Sequence, residues 1–125
     1  MTPRGFSLLE CLLAVSVLAI LTLTALPMQS SSWHKSQRAL ARSALAQAGW
    51  TLEREALWRG TYDSLTPNWS SLTEGLSYRL TFSLEPDGYV LRAIPQGRQS
   101  ADACGTLWLN QRGQKGADGS LAACW

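Results

Sequence analysis

The sequence predicts an α+β fold in which one long N-terminal α-helix packs on a small antiparallel β-sheet. Three observations predict it. The chain opens with an apolar run that has no charged residue between Cys11 and Trp33, a helical stripe follows, and the second half alternates apolar and polar residues. The 125 residues are the length of one domain, which excludes a large two-lobed enzyme. A hydrophobic fraction of 46% with six Trp excludes a disordered chain.

The apolar run is long enough to cross a membrane. Cys11 to Met28 rises about 27 Å as a helix, close to the ~30 Å hydrocarbon core. It is longer than the apolar region of a secretory signal, and Cys11 precedes it, which argues against a lipoprotein signal. Glu10 does not fit a plain anchor. Either it lies at headgroup level, or it is an intramembrane acid with a function and a partner. Pro27 indicates either a kink or the end of the helix.

A second helical segment follows the polar Ser30–Ser32 stretch. Its apolar residues recur at spacing four and predict an amphipathic helix to about Trp58, with Gly60 as its stop; they are Leu40, Ala44, Ala48, Leu52 and Ala56. Basic residues share another face of this helix, namely Lys35, Arg38 and Arg42. We expect a solvated face there, the alternative being contact with anionic lipid or a DNA backbone.

The second half predicts a meander of three or four antiparallel strands. A polar loop from Tyr62 to Glu74 precedes them, and we expect Trp69 to fold from this loop onto the sheet. The predicted strands cover 76–84, 89–94 and 106–110, and a turn at Glu85-Pro86-Asp87-Gly88 joins the first two into a hairpin.

The cysteines predict one disulfide bond. Cys104 and Cys124 close a loop of about twenty residues, and neither their spacing nor the lone His34 suggests a zinc site. Such a bridge indicates an oxidising compartment. We expect Cys11 to be a small buried hydrophobe. Asp102 and Asp118 are weak calcium candidates. No enzyme motif occurs, so we expect no catalytic residues, no metal and no cofactor.

The segment Gly5-Phe6-Ser7-Leu8-Leu9-Glu10, before an apolar helix, resembles the processing motif of type IV pilins. The resemblance implies that a prepilin peptidase cuts between Gly5 and Phe6 and that the new N-terminal residue, Phe6, is N-methylated. It implies that Glu10 stays in the membrane phase and pairs with the amine of a neighbouring subunit. Inside a dry helical bundle that attraction is strong.

The tail carries a second resemblance. Cys104-Gly105-Thr106-Leu107-Trp108-Leu109-Asn110, with Gly113, Lys115-Gly116-Ala117 and Cys124-Trp125, resembles the C-terminal signature of PilE-like minor pilins. This implies a leader over residues 1–5, a transmembrane and filament-core helix over 6–28, and a periplasmic globular domain over 29–125. The basic residues after the span oppose this orientation under the positive-inside rule, but the motif and the cysteines favour it.

The function implied is that of a minor pilin that primes pilus assembly and sits in or at the tip of the filament. Expected partners are major and minor pilins, the peptidase and methylase, the inner-membrane assembly platform, and membrane lipid. One alternative is a DNA-uptake receptor with Arg98, Trp108, Arg112 and Lys115 as contacts. A formal charge of +2, or +1 without Arg4, argues against it. The other alternative is a type II secretion pseudopilin.

Overall fold

The structure is a computed structural model that describes residues 4–125, without the side chains of residues 26–30. Most of the predicted leader, residues 1–3, lies outside this description. The chain forms two compact units, one up to Trp33 and one from His34 to Trp125. The elements, in chain order, are α1 (Leu8–Arg59), α2 (Ser70–Thr73), β1 (Tyr78–Glu85), β2 (Gly88–Pro95), a 3₁₀ turn (Gly97–Ala101), β3 (Leu107–Asn110), β4 (Lys115–Ala117) and α3 (Leu121–Cys124).

Helix α1 spans both units and ends as predicted. Gly60 follows its last residue with a φ of +76°, and its amide donates to the Ala56 carbonyl at 2.7 Å. Only glycine takes this left-handed conformation without a steric penalty, so it closes the helix. The helix continues through Pro27, so the alternative that it ends there is wrong.

The sheet is a four-stranded antiparallel meander in the order β1-β2-β3-β4. Phe82 lies opposite Leu91, and Leu91 lies opposite Leu109. Because side chains alternate along a strand, one face of β2 is buried and the other is not; the buried residues are Tyr89, Leu91 and Ala93. That face supplies the core together with Leu80, Tyr78 and Leu107.

The helix face that meets this core is shifted from the predicted stripe. Ala41, Ala44, Leu45, Ala48 and Leu52 are all buried, but Leu40 is 50% exposed, so its place in the stripe was wrong. The reason is geometric. With 3.6 residues per turn, a spacing of four advances about 40° at each step, so the two ends of a five-member series cannot both face one sheet.

The predicted loop from Tyr62 to Glu74 contains a short helix. The Asn68 Oδ1 accepts the Ser70 amide at 3.0 Å, and the Trp69 carbonyl accepts the amides of Leu72 and Thr73, which closes the single turn of α2. Trp69 packs against the core, as predicted. The first strand begins at Tyr78 rather than residue 76, and a fourth strand, Lys115–Ala117, completes the sheet.

Candidate functional site

The segment before α1 is exposed and outside any regular element. Gly5 has no heavy atom within 4 Å of an added Cβ, and Phe6 is 84% exposed. The Ser7 carbonyl accepts the amides of Glu10 and Cys11 at 3.0 and 3.2 Å and so starts the helix. Glu10 therefore lies in the first turn, where a carboxylate also interacts favourably with the helix dipole.

An apolar span follows directly. Leu8–Ala25 has a mean hydropathy of 2.3, and none of it is buried. Its hydroxyl groups are satisfied within the helix, because Ser16 and Thr22 donate to the carbonyls of Leu12 and Ala19 at 2.7 and 2.8 Å. Cys11 lies on this span as a free thiol that is exposed in the single chain, and its burial in lipid or among other helices stays a prediction.

The C-terminal segment is closed by the predicted disulfide bond. Cys104 and Cys124 are joined, with their Cα atoms 5.6 Å apart. Asp118 fastens the middle of the loop, since its Oδ2 accepts the Thr106 amide at 2.7 Å and its own amide donates to the Cys104 carbonyl. The bridge and these bonds make residues 104–124 one compact loop.

Two basic residues of α1 hold this segment on the helix. Arg38 Nε lies 2.9 Å from Asp102 Oδ2, and Arg38 Nη1 donates to the Ala123 carbonyl at 3.0 Å. Arg42 Nη1 donates to the backbone oxygen of Trp125 at 2.9 Å. Our expectation of a solvated face was therefore wrong for Arg38 and Arg42, and it holds only for Lys35, which is exposed.

Gln99 lies at the centre of the buried polar cluster around Asp102. It is 0% exposed, and its Nε2 donates to Tyr78 Oη and Asp102 Oδ2 at 3.0 and 3.1 Å. Its Oε1 accepts from His34 Nδ1 at 2.9 Å, which fixes the proton of this imidazole on Nδ1. The Arg38 Nε–H is not directed at Asp102, so their contact is an ion pair rather than a hydrogen bond.

This cluster was not predicted from the sequence. Gln99 has no partner closer than Asp102 in the chain, and its other contacts are with residues 21 and 65 positions away. From the sequence, Asp102 was only a weak calcium candidate, which did not indicate its counter-ion Arg38.

The four predicted DNA contacts do not form one patch. Trp108 lies on β3 and Lys115 on β4, opposite Leu109, so their side chains leave the sheet on different faces. Arg112 lies in the turn after β3 and forms an ion pair with Asp87 at 3.3 Å. Arg98 lies in the 3₁₀ turn that follows the other end of β2. Lys115 Nζ stands 5.3 Å from the ring centroid of Trp125.

Two family models match the sequence. Residues 2–26 match the prokaryotic N-terminal methylation motif, and residues 27–108 match the family described as type IV minor pilin ComP, DNA uptake sequence receptor. The second match covers well over half of the chain. The chain belongs to the type IV minor pilins.

Solved structures agree on the fold of this minor pilin. A crystal structure of the Neisseria meningitidis non-core minor pilin PilV aligns with a TM-score of 0.62 and 24% sequence identity, over 75% of this chain and 95% of that chain. No curated protein sequence matches the chain. The family model describes type IV pilins rather than secretion pseudopilins, and both matches are to structural pilins rather than enzymes.

The two acidic residues considered as calcium ligands are engaged within the fold of the minor pilin. Within residues 4–125, no group of three or more His, Cys, Asp or Glu side chains could hold a metal ion. The two calcium candidates have other partners, because Asp102 faces Arg38 and Asp118 accepts the Thr106 amide.

Glu53 joins two tyrosines beside the core. Its Oε2 and Oε1 accept hydrogen bonds from the hydroxyls of Tyr62 and Tyr89 at 3.0 and 3.1 Å. The two rings meet edge to face, with centroids 5.2 Å apart. Burial, and then the adjacent Glu53 carboxylate, raises the pKa of both tyrosines. Burial also raises the pKa of Tyr78, which Glu53 does not contact.

We expect all three tyrosines of the minor pilin to resist ionisation in the folded state. The unfolded phenols ionise near pH 10.0 and the folded ones above it, so this stabilisation is complete below pH 10 and is lost as the pH rises beyond it. A phenolate absorbance titration measures this. Glu53→Gln should lower the pKa of Tyr62 and Tyr89 and leave Tyr78 unchanged. Ionisation of the folded wild type at pH 10.0 would contradict the expectation.

Proposed function

We propose that this minor pilin is made as a prepilin with a leader over residues 1–5. A prepilin peptidase cuts between Gly5 and Phe6, and the enzyme then methylates the Phe6 amine. The exposure of both residues supports this, since a protease needs an accessible and extended peptide. The match to the methylation motif over residues 2–26 supports it independently.

The apolar span divides the chain into a membrane segment and a periplasmic domain. The helix over 6–28 lies in the inner membrane before assembly and in the filament core afterwards, and residues 29–125 lie in the periplasm and then on the extracellular pilus. The exposed span Leu8–Ala25 supports this, because its only stable surroundings are lipid or the apolar helices of other pilins. The Cys104–Cys124 bridge supports the periplasmic side.

The minor pilin joins other major and minor pilins at the inner-membrane assembly platform. There it primes the filament and remains at or near its tip. Glu10 pairs with the Phe6 amine of a neighbouring subunit and sets the axial register. The proposal depends on the order of three features in one chain. An exposed Gly5-Phe6 peptide comes first, an exposed apolar helix over Leu8–Ala25 comes next, and a minor-pilin domain closed by a disulfide bond follows.

Intact-mass spectrometry after co-expression with a prepilin peptidase tests the processing. We expect a product that begins at N-methyl-Phe6 and lacks two hydrogens because of the Cys104–Cys124 bridge. Gly5→Val should remain uncut. Glu10→Gln is the matched control: it should be cut as the wild type is, yet fail to enter pili, because the isosteric amide carries no charge and cannot form the ion pair with the Phe6 ammonium. A wild-type chain that still begins at Met1 would overturn the proposal.

Deletion tests the priming role. Without this minor pilin we expect fewer surface pili, and wild-type protein but not Glu10→Gln should restore them. An unchanged number of pili would show that assembly does not depend on it.

A second candidate function is DNA capture. The match over residues 27–108 to a family described as a DNA uptake sequence receptor favours it. The net charge is small, so the electrostatic part of DNA binding depends on a few local cations, and binding by the full chain should fall with salt along a shallow slope. Gel shifts of the detergent-solubilised chain over a salt series measure this, and an absence of salt-dependent binding would end this candidate.

A further inference from the structure

Strand β1 forms a free edge of the sheet. It pairs with β2 along its whole length, and within residues 4–125 no strand lies on its other side. Natural edge strands are usually short, bulged or interrupted by proline, but β1 runs for eight residues with a continuous register and no proline. The opposite edge, β4, has only three residues, and its Gly116 carbonyl already accepts a hydrogen bond from Trp125 Nε1. β1 is therefore the edge to which a further strand can add.

Every second residue of β1 directs its backbone N–H and C=O away from β2. The hairpin has a two-residue turn, so Glu85 and Gly88 form a hydrogen-bonded pair, and bonded and non-bonded pairs alternate from there. The outward backbone groups in the interior of the strand belong to Leu80, Phe82 and Leu84. Within residues 4–125 these groups have no hydrogen-bond partner. Because buried backbone groups are almost always paired, these groups face water and are free to bond to another strand.

The side chains of β1 divide between the two faces of the sheet. On the core face, Leu80 is buried, Phe82 is half-buried and Leu84 is 46% exposed, so the apolar surface reaches the edge. On the other face, Arg79 and Glu85 are exposed at the two ends of the strand. Neither forms an ion pair within residues 4–125. The edge thus carries an unpaired cation at one end and an unpaired anion at the other.

A second copy of β1, running antiparallel, complements this edge in one register. In that register Arg79 of each copy lies opposite Glu85 of the other, so both unpaired charges find a partner. Outward backbone groups also meet outward backbone groups, and apolar side chains meet apolar side chains on the core face. Opposite charges and apolar residues that face each other across strands both stabilise a sheet, and a slip by one residue would lose every match. The facing residues are Phe82 with Phe82, Arg79 with Glu85, Leu80 with Leu84, and Thr81 with Ser83.

We propose that the β1 edge binds β1 of a second copy of this minor pilin, so that two four-stranded sheets join across a two-fold axis. The outward groups of Leu80, Phe82 and Leu84 then form roughly six backbone hydrogen bonds between the copies. A contact confined to one strand is far smaller than a stable dimer interface, so the pairing is weak and reversible.

The direction of β1 decides which copies meet. The Ser77 amide, just before β1, donates to Gln37 Oε1 of α1, and Tyr89, opposite the end of β1, donates through its hydroxyl to Glu53 Oε1. β1 therefore runs in the same direction as this part of α1, and antiparallel pairing sets the two α1 segments in opposite directions. Subunits of one filament repeat head to tail and point the same way, so the paired copies belong to two filaments that meet from opposite directions. This location rests on the proposed function, whereas the pairing itself does not.

Charge reversal tests the register. Sedimentation equilibrium of the full chain in an excess of detergent micelles measures dimerisation. Arg79→Glu sets two carboxylates opposite each other at both ends of the contact and should weaken dimerisation by at least about tenfold, as should Glu85→Arg with two cations. An equimolar mixture of the two variants should dimerise as the wild type does, because every facing pair again has opposite charges. Arg54→Glu is the matched control, since Arg54 is exposed on α1, and it should change nothing.

Cysteine cross-linking tests the position of the contact. In a Cys11→Ala background, Thr81→Cys mixed with Ser83→Cys should give a disulfide-linked dimer with diamide, because Cα atoms of a non-hydrogen-bonded pair lie about 4.5 Å apart. Neither variant should cross-link efficiently alone. Leu84→Pro should keep the fold, because its amide takes no part in the β1–β2 ladder, and should abolish the dimer.

The outcomes separate the pairing from the function of the chain. A mixture of the charge-reversed variants that dimerises no better than either variant alone would overturn the proposal. Cross-links that form equally in Thr81→Cys alone, or a wild type that stays monomeric, would also overturn it. If the pairing fails while deletion of the chain still reduces the number of pili, the function as a pilin stands. If the pairing holds while deletion leaves the pili unchanged, the pairing stands without its place between filaments.

Discussion

Replacing Arg38 by methionine should lower the free energy of unfolding of the globular unit by about 3–5 kcal/mol. The Arg38 and Asp102 side chains are only 15% and 5% exposed, so removing the cation leaves a carboxylate without a counter-ion in a dry environment. The same change removes the bond from Arg38 to the Ala123 carbonyl and loosens the last turn of the chain.

Thermal unfolding followed by tryptophan fluorescence measures this loss. For a unit of about 90 residues, we expect Tm to fall by at least about 12 °C. Arg54→Met is the matched control, because Arg54 is exposed on the same helix and should change stability by less than about 0.5 kcal/mol. Adding Asp102→Leu to Arg38→Met should recover part of the loss, since no charge then remains buried. Equal Tm values for Arg38→Met and Arg54→Met would show that solvent screens the pair.

Loss of the Cys104–Cys124 bridge should cost roughly 3 kcal/mol. The two residues are 20 positions apart, and a loop of this length loses about that much unfolded-state entropy when it is closed. Both cysteines are buried, so alanine at these positions also removes apolar contacts. The expected result is a reductant-sensitive Tm in the wild type and a low, reductant-insensitive Tm in Cys104→Ala/Cys124→Ala.

The third cysteine provides the control for this experiment. Cys11→Ala should keep both the Tm and its sensitivity to reductant, because Cys11 is a free thiol in the first turn of α1. Mass spectrometry must show that the reductant has opened the bridge. A wild type that melts at one temperature whether oxidised or reduced would contradict a stabilising role for the bridge.

The parts of this fold that the sequence predicted are those with a local cause. The hairpin over β1 and β2 depends on alternation and on the Pro86-Asp87 turn, and the end of α1 depends on Gly60. The disulfide could be predicted because two cysteines stand near the end of one chain. Each of these features can be recognised from a few neighbouring residues, or, for the disulfide bond, from the cysteines alone.

The prediction was wrong where a side chain's environment is set by residues far away in the sequence. Arg38 and Arg42 have the composition of a solvated helix face, and only the return of residues 102 and 125 to α1 makes them structural. Trp108 and Lys115, two of the residues named as DNA contacts, lie on opposite faces of the sheet, because Lys115 is opposite Leu109 and neighbouring residues on a strand leave opposite faces. Their role in DNA binding stays a prediction.

The bridged loop has a consequence for a subunit under mechanical load. A pulled polypeptide spans about 3.3–3.6 Å for each extended residue, so the 20 positions from Cys104 to Cys124 would reach roughly 66–72 Å if they were free, whereas the bridge holds the two Cα atoms 5.6 Å apart. The covalent bond withholds that length at any force below bond rupture. A filament that contains this subunit can therefore be stretched without drawing out the segment between the two cysteines.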